Sequence, residues 1–187
     1  ITPMQFSHKW CIYSILFNEF FTMNPLLDKE PVKRAEKAIK AFDSKLEIIC
    51  LEQTARTAQD AATALGCNVG AIVKSLLFRV ENDFILCLVS GDKRCSLNKL
   101  KSILNIKDVS MANPDDVKKI TGYTIGGVSP VGHLNQLKIL IDNNLERFTK
   151  VFAAAGHPNC VFEIDFNKLT ELSNGEKKEI AERDNQN

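Results

Sequence analysis

AIVKSLLFRVENDFILCLVS, residues 71–90, is the stretch that decides the fold. Residues 72–80 and 84–89 are β-rich runs separated by the turn-forming Glu81-Asn82-Asp83, which predicts a β-hairpin. Within residues 71–77 the one charge is Lys74. Lysines are seldom fully buried without a partner, and a lone ammonium on a core strand costs desolvation. Lys74 therefore has two readings: it points outward on an alternating strand, or it meets an anion or lines a cavity.

Working outward towards the amino terminus, Thr57 and Asp60 have capping-box spacing, and Ala61, Ala62 and Leu65 make one helical face that Gly66 stops. Before it, residues 46–51 (LEIICL) read as a strand. Residues 31–42 (PVKRAEKAIKAF) read as an amphipathic helix, with Val32, Ala35, Ile39 and Phe42 on one side and proline in the first turn. Towards the carboxyl terminus, Ser96 caps a short helix running through Leu104, and Asn113-Pro114-Asp115-Asp116 opens another. Residues 137–141, 151–155 and 161–164 are further strands. Short strands and helices alternate without a regular βαβ period and without an internal repeat. The expected class is a single mixed α/β (α+β) domain.

Composition narrows the function. The chain has 187 residues, 44% hydrophobic and 25% charged, enough for a core and ordinary for a globular protein. With 24 basic and 23 acidic residues the net charge is +1, so there is no global basic field for DNA, RNA or an anionic membrane. Six cysteines (11, 50, 67, 87, 95 and 160) are too sparse for a disulfide scaffold, and no C-x-x-C or H-E-x-x-H occurs. Neither a metal site nor a cofactor is expected, and free thiols point to the cytoplasm. Residues 1–22 differ in texture and hold an apolar run too short to span a bilayer; they read as an extension outside the functional domain. That domain is placed at residues 23–173, with residues 174–187 as a polar tail.

Four features could carry chemistry. Lys74, with Ser75 beside it, is the first. The second is TGYTIGGVSPVGH, residues 121–133, with four glycines in thirteen residues. Gly126 and Gly127 permit backbone conformations that could present N–H groups to a carbonyl or phosphate oxygen, and Pro130 stiffens the loop. A structural glycine-rich turn fits equally well, and neither a dinucleotide nor a P-loop pattern is present. The third is Ala155-Gly156-His157-Pro158-Asn159, where His157 is either a general base or a solvated turn residue. The fourth is Lys93, Arg94, Lys99, Lys101 and Lys107, five cations without an acid in fifteen residues. They make either a solvated helix face or a phosphate-tracking patch. The acids lie mostly elsewhere, many of them in the tail.

Four segments together resemble the YbaK/ProX family of aminoacyl-tRNA deacylases, relatives of the editing insertion domain of bacterial prolyl-tRNA synthetases. They are TARTAQDAATALGCNVGAIVKSLLF (54–78), LVSGDKR (88–94), TGYTIGGVSPVGH (121–133) and VFAAAGHPNCVFEI (151–164), in the family's order and spacing. The resemblance implies a bent, barrel-like mixed sheet surrounded by short helices. It also implies metal-free hydrolysis of the ester joining a wrong amino acid to tRNA. The family's functional lysine falls on Lys74, which would meet the terminal phosphate or the substrate's polar groups. Its G-x-x-x-P loop falls on Gly126, Gly127, Val128, Ser129 and Pro130, whose backbone would hold the amino-acid carbonyl.

Further expectations come from that resemblance. Ser75 is a candidate pocket wall, and Gly156 and His157 are candidate substrate contacts, with His133 as a helper. Lys93, Arg94, Lys99 and Lys101 are candidate tRNA contacts. No Ser-His-Asp or Cys-His set is evident, so water is the expected nucleophile, helped by the ribose 2′-OH. The expected substrate is a small amino acid on proline tRNA, held at the acceptor end, with a synthetase as a candidate partner. A non-catalytic tRNA- or synthetase-binding module and a small-molecule esterase are the competing readings.

Overall fold

The hairpin forms as the residue pattern requires. In the computed structural model, which describes residues 24–52, 55 and 57–182, β2 (Ile72–Val80) pairs antiparallel with β3 (Asp83–Ser90). The turn is tighter than expected: Val80 pairs with Asp83, leaving Glu81 and Asn82 as the loop, with Glu81 at φ 54°. Asp83 thereby joins the strand.

β3 is central and buried on both faces, which explains its unbroken apolar run. Leu86 and Leu88 enter one core cluster and Ile85, Cys87 and Val89 another, so the strand's period of two splits the run between two cores. The same alternation on β2 puts Val73 and Leu77 on the first face and Leu76 and Phe78 on the second. The first face is covered by α1 (Glu30–Phe42) through Val32, Ala35 and Ile39, and by α5 (Phe166–Ser173) through Phe166 and Leu169. The second is covered by Leu100 of α3 (Leu97–Leu104) and by Ile180. A third cluster joins α2 (Ala58–Leu65) to Ile72, Val161 and Leu51.

The remaining strands are β1 (Ile48–Cys50), β4 (Val109–Met111), β5 (Lys138–Asp142), β6 (Lys150–His157), β7 (Cys160–Asp165) and β8 (Glu176–Lys178); α4 is Pro114–Thr121. The eight strands form one mixed sheet in the order β1-β7-β6-β2-β3-β5-β8, with β4 paired to the end of β2. The sheet is open, with β1 and β8 at its ends, rather than closed into a barrel. Short helices pack around it, and the class is the mixed α/β expected.

Helix ends follow local chemistry. Thr57 and Asp60 close the capping box reciprocally at α2, and Gly66 ends that helix in the left-handed region at φ 63°. Asn113 caps α4 by accepting from the Asp116 N–H, with Pro114 at its first position.

The expected tail behaves differently within its described part. Residues 176–178 add β8 to β5, Ile180 and Ala181 are buried, and Ala181 bridges Cys95. No helix among the described residues is long and apolar enough to cross a membrane. The expected extension, residues 1–22, lies outside the described residues.

Candidate active site

The sheet has a notch. β6 pairs parallel with β2 only at Ile72–Phe152 and Val73–Ala153. β4 takes up the same edge at Phe78–Met111, one step after the Ala112 N–H donates to the Leu77 carbonyl at 3.0 Å. Between them β6 bends away at a bulge between Ala154 and His157, where Gly156 sits at φ 87°. A Cβ on Gly156 would lie 2.4 Å from the Pro31 carbonyl oxygen, so this bend requires glycine. The uncovered edge is Lys74-Ser75-Leu76.

A cavity of about 320 Å³ occupies the notch. Ala58 and Ala61 of α2 wall one side; Val117 of α4 with Ile125, Gly126 and Val128 wall the other; Met111 and Pro158 stand at its margin. Lys74 is the charged residue among the described lining residues. Its ammonium donates to the Lys93 carbonyl oxygen and is half-buried. Burial pushes it below the ordinary lysine value; Asp92 opposes that shift and Arg94 adds to it. Of the two sequence readings, the structure gives the cavity-lining one. The Ser75 hydroxyl also lies in the lining and is buried without a hydrogen-bond partner among the described residues.

The glycine-rich loop forms the opposite wall unevenly. Gly126, at φ 86°, and Val128 line the cavity, while Gly127 packs behind them. The Gly127 N–H is engaged by the Thr124 carbonyl at 2.9 Å, and its α-carbon faces the backbone of His157. Ser129 and Pro130 are buried beneath the loop.

Among the described residues, neither His133 nor His157 is hydrogen-bonded to a serine or cysteine side chain. The His133 Nε2 lies 2.7 Å from the Ser129 carbonyl, and burial pushes its pKa below the usual histidine value. Neutral His133 with the proton on Nε2 is thus a donor that braces the loop. The His157 Nδ1 accepts from the Asn159 N–H at 3.2 Å, a turn contact; burial and then Lys29 lower its pKa. Among the described residues no cluster of His, Cys, Asp or Glu could hold a metal ion.

Residues 52–172 match the sequence pattern of the aminoacyl-tRNA editing domain. The chain belongs to that family. Its chemistry is the deacylation of mischarged tRNA, linked to prolyl-tRNA synthetase. The chain is 34% identical over 123 residues to "Uncharacterized protein YwhH" of Bacillus subtilis (strain 168), covering 65% of this chain and 78% of that protein. It is 39% identical over 101 residues to a proline–tRNA ligase of Fervidobacterium nodosum, covering 54% of this chain but 17% of the ligase. A solved structure, provisionally assigned as a trans-editing enzyme for prolyl tRNA synthetase, superimposes with a TM-score of 0.79 at 34% identity. That match covers 83% of this chain and 99% of the other.

The editing domain's loop is held by a residue that the sequence did not single out. Arg34 of α1 donates from Nε to the Gly132 carbonyl and from Nη2 to the Gly122 carbonyl, each at 2.8 Å, so one guanidinium latches both ends of the glycine-rich loop. The same group lies 4.7 Å from the Tyr123 ring centroid and pairs with Glu30 at 2.7 Å. The Tyr123 hydroxyl donates towards the carbonyls of Val131 and Gly132 at 2.8 and 3.0 Å. The available signal was position: Arg34 borders the stripe of Val32, Ala35 and Ile39, where a solvated cation is not required.

A second network backs Lys74 from the loop after β3. The Ser90 hydroxyl donates to the Gly70 carbonyl and lies 2.7 Å from Asp92, while Arg147 bonds both Ser90 and Asp92. Burial alone would raise the Asp92 pKa, but the bonds from Arg147 and Ser90 hold it below the usual range.

The basic patch is partly neutralised by residues beyond the matched range. Lys99 pairs with Glu179 at 2.6 Å and donates to the Ala181 carbonyl at 2.7 Å. The sequence puts the acids elsewhere along the chain; the fold returns Glu179 to the patch and bonds the Glu182 N–H to the Arg94 carbonyl. Arg94 is exposed, and Lys101 is half-buried on α3.

Proposed function

We propose that this editing domain removes a small amino acid from wrongly charged proline tRNA, working on the acceptor end without a metal and without a protein nucleophile. The observation that carries the reading is Lys74, a half-buried ammonium and the one charged residue among the described residues that line the cavity, which also include Gly126 and Val128. A cation so placed suits the phosphate or polar groups of a terminal nucleotide. The apolar walls suit a short aliphatic side chain, and the Ser75 hydroxyl adds one polar contact.

In the proposed step a water oxygen attacks the ester carbonyl carbon. Its proton passes to the ribose 2′-OH, which at the same time hands its own proton to the neighbouring ester oxygen of the ribose. Negative charge develops on the carbonyl oxygen, where the main-chain N–H groups of Gly126 and Val128, the loop residues that line the cavity, would stabilise it. The carbon–oxygen bond to the ribose then breaks, and the ribose oxygen leaves with that proton. His133 and His157 have no direct part, since one braces the loop and the other closes a turn. Arg94 and Lys101, with Lys93, would contact the tRNA beyond its last nucleotide; Lys99 contributes less because Glu179 balances it.

A deacylation panel tests this reading. Proline tRNA is charged with alanine, serine, threonine, cysteine or 2-aminobutyrate, and release of the amino acid is followed with and without the protein, a synthetase and added salt. Faster release of at least one small residue is expected. Salt-dependent tRNA binding without release from any of them would instead favour a binding module.

A further inference from the structure

The edge of β2 left uncovered in the notch has a definite hydrogen-bonding character. In an antiparallel pair, main-chain groups alternate between facing the partner strand and facing away. The Leu77 carbonyl faces away from β3, because it accepts from the Ala112 N–H. Ser75, two residues earlier, presents its N–H and C=O on that same edge. β6 has already departed after Ala153, and β4 has not yet begun. Both groups therefore open into the cavity, beside the Ser75 hydroxyl, which has no partner among the described residues.

The opening is short. Residues 74–76 at about 3.3 Å each span about 10 Å, room for one amino-acid residue but not for an added peptide strand. A donor and an acceptor on one residue are complementary to an acceptor and a donor on another, the exchange that joins a hydrogen-bonded pair in an antiparallel sheet. An α-aminoacyl ester carries that complement on a single carbon: an amine that donates and a carbonyl that accepts.

Resting on the editing reading above, we propose that the aminoacyl group docks in the notch as a one-residue strand on Ser75. Its α-amino group donates to the Ser75 carbonyl, and its ester carbonyl accepts from the Ser75 N–H. The Gly126–Val128 wall reaches the same carbonyl oxygen from the other side. The developing oxyanion thus lies between a sheet edge and a loop, both fixed before substrate arrives. Recognition then begins with the free α-amino group, common to all amino acids, and the apolar walls sort the side chain. Editing by this chain is accordingly specific for esters with an unblocked α-amine.

The test uses the small amino acid released fastest in the panel, on one tRNA, beside its α-hydroxy and deamino counterparts; for alanine these are the lactyl and propionyl esters. Each rate is divided by that ester's uncatalysed hydrolysis in the same buffer. The amino ester should exceed the deamino ester by about tenfold or more, the factor carried by one hydrogen bond of ordinary strength, with the hydroxy ester between. The ratio should persist in Ser75→Ala, which keeps both main-chain groups.

Equal normalised rates for the amino and deamino esters would overturn the docking mode while leaving the editing reading intact. A ratio that collapses in Ser75→Ala would overturn it too, by moving the contact to the hydroxyl. Release of no ester in the panel would overturn both readings.

Discussion

Arg34→Lys separates the charge of the loop latch from its geometry. The guanidinium spans the Gly122 and Gly132 carbonyls with two bonds of 2.8 Å, whereas an ammonium on a shorter reach can keep one. A hydrogen bond from a charged donor contributes about 1.5–3 kcal/mol, so the lysine variant loses roughly that much hold on the loop. Arg34→Ala loses both bonds and the contact with Tyr123. Because the loop forms a cavity wall, its opening should lower kcat/KM by about tenfold or more in the alanine variant, with lysine between. In a domain of this size the thermal midpoint should fall by about 2–4 °C for each kcal/mol lost.

Glu30→Gln is the control. Its side chain is 73% exposed, so removing that charge should change stability by no more than about 0.5 kcal/mol. Steady-state deacylation together with thermal unfolding reads out all three variants. Wild-type kcat/KM in Arg34→Ala would refute the latch, because the loop would then hold its position without it.

Three further outcomes are expected. Gly127→Ala places a methyl 2.8 Å from the His157 α-carbon, so it should push the two loops apart, costing about 1–3 kcal/mol and lowering kcat/KM; unfolding and kinetics check it. Asp142 is buried with Oδ2 unpartnered among the described residues, and burial raises its pKa above 3.8, so its ionisation costs stability as pH rises through the folded value. Asp142→Asn should therefore raise the thermal midpoint at pH 7 and have little effect near pH 3.8, as differential scanning calorimetry would show. For His133, the folded pKa lies below 6.5, so its contribution is intact above pH 6.5 and declines as pH falls towards the folded value. His133→Gln should flatten that part of the stability–pH curve.

Local chemistry made much of the architecture legible. A capping box, a proline at N1, a short turn between β-branched runs and a glycine stop act within a few residues, and each was realised near its expected place. The open notch was not legible, because it depends on where β6 leaves β2, which a bulge some eighty residues away in sequence determines. β8 was hidden for a related reason: Glu-Lys-Lys has little strand propensity, and pairing with the buried β5 supplies what composition lacks. The site was half legible. Lys74 stood out because a charge interrupted a core strand. Arg34 looked like any helix-surface cation until the fold brought it to carbonyls 88 and 98 residues distant. The pairing of Lys99 is hidden in an acid-free run of sequence because its partner Glu179 lies 80 residues on.

In the proposed mechanism, mischarged tRNA is hydrolysed in the notch under the charge of Lys74. Single-turnover release of a small amino acid from mischarged proline tRNA, by the wild-type chain and by Lys74→Ala, tests it most directly. Release by the wild type, slowed tenfold or more in a variant that keeps its thermal midpoint, is the predicted result, corresponding to about 1.4 kcal/mol for each factor of ten. Equal rates in the two proteins would contradict it.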